Sequence, residues 1–376
     1  MTKMRVLHII PSLNKGGAER MCLDICNELN SRPDIDLCLV SFRKNSYYPF
    51  LTKSIDWKVI PSSVLPSVFK PWQIETQHLQ EFISVFKPEI IHVHLFESVM
   101  VLSQLDVGSS KIFIHFHDNM KQFENLTFNT FRSKQKLTNF YEKRTILKFL
   151  KNKRSHLIGI SKSSIQFLRR VLPQKHLNNL HYCPNALDLD LFKKKVNANN
   201  QSDFTLITIG SLTENKAQQL SVETIDSLLK RGIDAKLIIV GDGPLMSKLK
   251  DLTSRKNLEN SVEFTGLIDH PEDLLQRSDL YLHTAISEAF GLTILEAMAS
   301  GLPVVCTDGG GNRDLIQNGI NGFLISERDP ELFANKIELL HKDHGLREKM
   351  SDNARKNAEE YGIKAYVDLL LKLYKL

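Results

Sequence analysis

The stretch "SEAFGLTILEAMASGLPVVCTD", Ser287 to Asp308, decides the reading of the fold. It places Glu288 and Glu296 with seven residues between them, just before and just inside a helical pattern. "DLYLHTA" ahead of it reads as a strand, Gly301-Leu302-Pro303 as a helix stop, and "PVVCTD" as the next strand. The helix between starts near Gly291 or Leu292, with Leu292, Leu295, Met298 and Ala299 on its inward face. Glu288 then belongs to the preceding loop, and the open amides of Gly291, Leu292 and Thr293 form a helix N-terminus suited to phosphate. Carboxylates repel a bare phosphate but accept hydrogen bonds from a sugar diol. Amides for a diphosphate beside carboxylates for hydroxyls fit a nucleotide-sugar. Either glutamate alone reads equally well as a residue favoured by the helix dipole.

Working outward, short apolar runs alternate with helical patterns over the whole chain. "RVLHII", "DLCLVSF", "WKVIP", "IIHVH", "KIFIHFH" and "SHLIGIS" read as buried parallel strands, as do "FTLITIG", "AKLIIVG", "VEFTG", "LYLHTA" and "LPVVCTD". The two series are separated by polar "KKKVNANNQSD" (Lys193–Asp203). The expectation is α/β, with two Rossmann-like domains, 1–190 and 200–361, facing each other across a cleft, and a final helix, 362–376, packing on either one.

The 376 residues, 42% apolar and 24% charged, suit two ordinary domains. The opening "MTKMRVLHIIPSL" is broken by Pro11 and reads as too short for a signal peptide, and no run approaches the roughly 20 residues of a membrane span. A cytoplasmic protein is expected. The five cysteines, Cys22, Cys26, Cys38, Cys183 and Cys306, form no Cys-x-x-Cys pair and read as reduced core thiols. No His or Asp cluster lies near Cys22 and Cys26 in the sequence, so no metal is expected there.

Residues 1–185 carry 26 Lys and Arg against 14 Asp and Glu. Much of the excess lies in Arg132–Arg154, nine basic residues to one acidic, interleaved with Phe140, Tyr141, Ile146, Leu147, Phe149 and Leu150. Such a segment suits an anionic membrane surface, at the inner face, or equally a solvated helix face. No nucleic-acid-binding motif accompanies the charge.

Other loops point the same way. Gly16-Gly17 in "PSLNKGGAER" lets backbone approach a phosphate. Lys216 in "GSLTENKAQQL" follows the first strand of the second series, and His115 and His117 end the strand of "IHFHDN". A solvated lysine and structural histidines are the ordinary alternatives. "VGDGPL" fails Gly-x-Gly-x-x-Gly at Met246, "GISKS" fails Gly-x-Ser-x-Gly, and neither a Walker motif nor a strand-end Asp-x-Asp is present.

"EAFGLTILEAMASGLPVVCTDGGGNRDLI", with "GGAE", "HYCPNALDLDLF", "IIVGDGPL" and "VEFTGLI", resembles the retaining glycosyltransferases of family 4, which have the GT-B fold. The resemblance covers essentially the whole chain. It implies Glu288 at the donor sugar near the reaction centre, His117 touching the transferred sugar and Glu296 on the ribose hydroxyls. Gly291, Leu292, Thr293 and Lys216 would hold the diphosphate, with Gly16 and Gly17 closing on it. Gly266 would flank the base, near turn glycines Gly241 and Gly243. It implies no metal and no cofactor beyond a nucleotide-sugar donor, UDP-sugar favoured, and a glycan acceptor, lipid-linked, in bacterial surface polysaccharide synthesis. Where the family has "GR" and then "KG", this chain has Ser211 for the arginine and Ala217 for the glycine. Arg20 and Arg313 are the candidate replacements. A sugar-nucleotide epimerase and a non-catalytic nucleotide-sugar-binding subunit are the alternative functions.

Overall fold

The computed structural model describes residues 3–65, 72–118, 120, 123, 134–151, 155–192 and 204–376. The linker Lys193–Asp203 lies outside them, as do Arg132 and 152–154 of the basic segment. The chain divides into two compact units, Met1–Ala186 with Ile363–Leu376, and Leu187–Gly362. The final helix therefore joins the first unit.

The first unit contains strands β1 (Met4–Ile10), β2 (Ile35–Ser41), β3 (Trp57–Val59), β4 (Ser63–Leu65), β5 (Trp72–Glu75), β6 (Ile90–His94), β7 (Lys111–Phe116), β8 (Ser155–Gly159) and β9 (Leu180–Tyr182). Its helices are α1 (Gly17–Asn30), α2 (Pro49–Thr52), α3 (Gln77–Phe86), α4 (Leu95–Leu102), α5 (Lys134–Phe149) and α6 (Lys162–Val171). Seven strands form one parallel sheet in the order β3-β2-β1-β6-β7-β8-β9, so the strand order reverses between β1 and β6. The "WKVIP" run is an exposed three-residue edge strand rather than a buried one, because only β2 pairs with it.

In the second unit β10 (Phe204–Ile209), α7 (Gln218–Lys230), β11 (Ala235–Val240), α8 (Met246–Arg255), β12 (Val262–Gly266), α9 (Glu272–Arg277), β13 (Leu280–His283), α10 (Leu292–Ala299), β14 (Val304–Thr307), β15 (Gly322–Ile325), α11 (Pro330–Lys342) and α12 (His344–Ala358) follow in turn. Six parallel strands run β12-β11-β10-β13-β14-β15, with the reversal between β10 and β13.

The last helix, α13 (Ile363–Tyr374), buries Ile363, Tyr366, Val367, Leu370 and Tyr374, one stripe at helical spacing, and packs on α1. Arg32 at the end of α1 pairs with Asp368 at 2.8 Å. In α5 the apolar residues do not form an outward stripe: Ile146 is buried in the core, as is Leu150 just beyond the helix, and Leu147 and Phe149 pack against it. Lys136, Arg144 and Lys148 are exposed. Among the described residues no helix is long and apolar enough to cross a membrane.

Candidate active site

Ligands of open parallel sheets bind beyond the carboxyl ends of the strands where the order reverses. In the second unit, the loops after β10 and β13 emerge side by side there, and they carry Lys216 and Glu288. Lys216 Nζ donates to Glu288 Oε2 at 2.6 Å, and His283 Nε2 donates to the same oxygen at 3.0 Å. Burial alone would raise the Glu288 carboxyl, but the His283 hydrogen bond and the Lys216 charge outweigh it and hold the group at about 2. His283 is itself pushed below the ordinary histidine range, chiefly by burial, so the ring donates to Glu288 as a neutral imidazole. His283 was absent from the sequence-derived set. Its signal was its place as the last residue of strand "LYLH", at the same strand end as the loop that carries Glu288.

The loop backbone is pinned from the next strand. Glu288 N donates to Gly309 O and Gly311 N to Glu288 O, each at 2.8 Å. A Cβ on Gly309 would sit 3.0 Å from the Glu288 Cβ, and one on Gly311 would collide with the Ala289 carbonyl. The "GGG" run therefore exists for backbone approach. Asn312 clamps the turn, its Nδ2 donating to Thr307 O at 2.7 Å and its Oδ1 accepting from Gly309 N at 3.0 Å.

Gly291 is the N-cap of α10, at φ 101°, a conformation that favours glycine. Leu292 and Thr293 open the helix and Glu296 lies in its second turn, half-buried. Leu292 is half-buried rather than inward, while Ile294 and Ala297 join Leu295, Met298 and Ala299 in the interior, so α10 is buried on nearly every side. Gly266 ends β12 at φ 69°, and its carbonyl accepts from Gly241 N at 2.9 Å. Gly241 has no room for a side chain against the Gly210 carbonyl, and Gly243 none against Leu212. Ala217, where the family has glycine, sits in the left-handed region at φ 50°. Neither candidate replacement for the family arginine is unengaged: Arg313 makes a two-pronged pair with Asp308 at 2.7 and 2.8 Å, and Arg20 pairs with Asp24.

Gly16, Gly17 and His117 belong to the first unit. Gly16 precedes α1 in extended backbone and its N–H donates to the Tyr48 hydroxyl at 3.2 Å. A Cβ there would run into the Glu19 carboxylate. His117 follows β7 directly, and burial pushes its imidazole down to about 3. Cys22 and Cys26 do have neighbours, contrary to the sequence expectation: β1 brings His8 within 4.8 Å of both sulfurs. Packing of α1 on β1, invisible in local spacing, makes that contact. His92, His94 and His115 form a second such group.

Two doubly wound units of this topology, with the carboxylate, lysine and helix N-terminus at one strand-order reversal, define a GT-B protein. Over residues 190–357 the chain matches the family described as "Glycosyl transferases group 1". It is similar to the N-acetyl-alpha-D-glucosaminyl L-malate synthase of Bacillus anthracis, 35% identical over 173 residues, 46% of this chain and 45% of that one. It is also similar to the UDP-Gal:alpha-D-GlcNAc-diphosphoundecaprenol alpha-1,3-galactosyltransferase of Escherichia coli, 29% identical over 204 residues, 51% and 52% of the two chains. The chain spans about half the length of the curated relatives it matches. In fold it resembles Anabaena Alr3699/HepE determined with UDP, TM-score 0.81 at 21% identity over 99% of this chain and 100% of that one. A glycosyltransferase from Rickettsia africae ESF-5 gives TM-score 0.78 at 20% identity over 100% and 98%.

Proposed function

We propose that this protein transfers a sugar from a nucleotide-sugar, a UDP-sugar by preference, to a glycan acceptor with retention at the anomeric carbon. The observation that carries the reading is Glu288, held ionised by Lys216 and His283 beside the N-terminus of α10. The name of one relative, a galactosyltransferase, supports it. The acceptor hydroxyl oxygen bonds to the anomeric carbon as the carbon–oxygen bond to the diphosphate breaks, and the hydroxyl proton passes to a diphosphate oxygen. The amides of Gly291, Leu292 and Thr293, with Lys216, stabilise the negative charge that grows on the diphosphate. The Glu288 carboxylate favours cationic character at the anomeric carbon. Glu296 holds the ribose hydroxyls and Gly266 flanks the base. No step needs a metal. A lipid-linked acceptor in surface polysaccharide synthesis is part of the same proposal, with the exposed Lys136, Arg144 and Lys148 of α5 facing anionic lipid.

A thermal-shift panel of nucleoside diphosphates, without metal, on wild type and Glu296→Ala tests the donor site. At 100 times its dissociation constant, the right nucleotide stabilises wild type by about 2.7 kcal/mol, and the variant less. No response from any nucleotide overturns the diphosphate assignment. Glu288→Gln should retain nucleotide binding and lose transfer; an unchanged rate removes Glu288 from the chemistry.

A further inference from the structure

Five histidine rings and one tyrosine hydroxyl form an unbroken chain inside the first unit. His117 Nε2 lies 2.9 Å from His94 Nδ1, and His94 Nε2 lies 3.0 Å from His8 Nδ1. His8 Nε2 is 3.2 Å from the Tyr374 hydroxyl, which is 2.7 Å from His92 Nδ1. His92 Nε2 is 3.3 Å from His115 Nδ1. The chain ends at His117 Nδ1 and His115 Nε2, both buried and without a partner among the described residues. Three strands and the final helix contribute to it, and β1 and β6, where the strand order reverses, supply its middle.

Burial, reinforced by neighbouring rings, holds His92, His94 and His115 well below the ordinary histidine range, and burial alone does so for His117. With each of the five rings in its neutral form, carrying one N–H, and the tyrosine carrying one O–H, six groups bring six protons to five contacts. One donor is left over. It can sit on His115 Nε2, on a Tyr374 hydroxyl turned away, or on His117 Nδ1. His115 and Tyr374 are each 1% exposed, and an unpaired N–H or O–H there is costly. His117 is half-buried and stands just past the carboxyl end of β7, beside a cavity of about 10 Å³ that His115 lines as well, so its greater exposure, not the cavity, sets it apart. That end is where an incoming oxygen can take the proton.

We infer that the chain has a single polarity, every ring donating from Nδ1, so that His117 presents an Nδ1–H donor and His94 and His8 are positioning residues for it. The ligand group that meets His117 is then an acceptor oxygen, of a hydroxyl or a phosphate, and never an N–H. Assigning that oxygen to the donor substrate rests on the proposed function; the polarity does not. Both nitrogens of His8, His92 and His94 are engaged along the chain, so hydrogen bonding accounts for the clustering without a cation.

The test is a two-bond proton–nitrogen spectrum of the full chain labelled with ¹⁵N-histidine, free of ligand, at neutral pH, with His117→Gln used to assign the terminal ring. The expected result is the neutral Nδ1–H pattern for His117 and for the four rings behind it. An Nε2–H or cationic His117 overturns the inference, as do ring signals that change on adding a chelator. In Tyr374→Phe, His92 loses its acceptor, so His92 and His115 should become tautomer mixtures while His117 keeps Nδ1–H. An unmoved His92 in a folded variant refutes the chain; if that variant does not fold, the wild-type spectrum decides. Because the spectrum is taken without nucleotide, a failed nucleotide-binding experiment leaves its outcome untouched.

Discussion

Glu288→Gln should change how the protein responds to acid in a way no neutral contact can. The folded carboxyl titrates at about 2 against 4.5 for the unreacted group. Its folded value lies below its unfolded one, so its stabilisation is complete above pH 4.5 and lost as pH falls towards 2. A shift of this size corresponds to about 3 kcal/mol. For a unit of this size that is about 6–12 °C in the unfolding midpoint. Wild type and Glu288→Gln are unfolded thermally at intervals from pH 6 down to about pH 2.5, and the gap between their midpoints is followed. The gap should close by most of that amount across the window, whatever its value at neutral pH. His283, which touches the same carboxylate, titrates too. Repeating the pair with His283→Asn in both members removes that ring, and the closure should shrink, since Lys216 alone then holds the carboxylate down. A gap that stays constant with pH would show that Glu288 is not held ionised by its neighbours, and the electrostatic reading of the site would fall with it.

Two further outcomes bear on the same loops. Lys216→Met leaves Glu288 with only the neutral His283 donor and should cost about 2–3 kcal/mol in denaturant unfolding, whereas Lys216→Met with Glu288→Gln should cost less than the lysine change alone. Gly311→Ala drives a methyl into the Ala289 carbonyl and should cost about 2–3 kcal/mol and nucleotide response together, while Gly319→Ala, at φ 79° with open space around it, should cost about 1 kcal/mol through backbone strain and leave nucleotide response intact. Equal losses from the two glycines would remove the close-approach argument.

The parallel α/β architecture, the helix at Leu292–Ala299 and the placing of Glu288 in the preceding loop were legible in the sequence, because they follow from local periodicity and from Gly301-Leu302-Pro303 as a stop. What local pattern does not carry is strand order. The meeting of Lys216 with Glu288, 72 residues apart, and of His8 with His94, 86 apart, exists only because β10 pairs with β13 and β1 with β6. His8 meets Cys22 and Cys26 through another tertiary fact, the packing of α1 on β1. In the basic, aromatic-laced segment Ile146 and Leu150 follow helical spacing, and which side of a helix meets the core is a tertiary fact. His283 was visible as a strand-end histidine, yet nothing in its neighbours distinguished it from a residue satisfied elsewhere.

His283 also resolves a conflict in the proposed chemistry. Lys216 is spent on Glu288 in the free protein, yet the diphosphate needs that ammonium. A buried carboxylate abandoned by Lys216 would resist the exchange, because an unpaired buried charge costs several kcal/mol, on the order of 3–5. With His283 Nε2 at 3.0 Å, Glu288 keeps a donor on the same oxygen when Lys216 turns towards phosphate. A neutral imidazole suits this better than a second cation: it satisfies the carboxylate without cancelling its charge, which the anomeric carbon requires. The shared oxygen therefore makes Lys216 transferable, and it places the loss from His283→Leu in nucleotide affinity and turnover together rather than in folding alone.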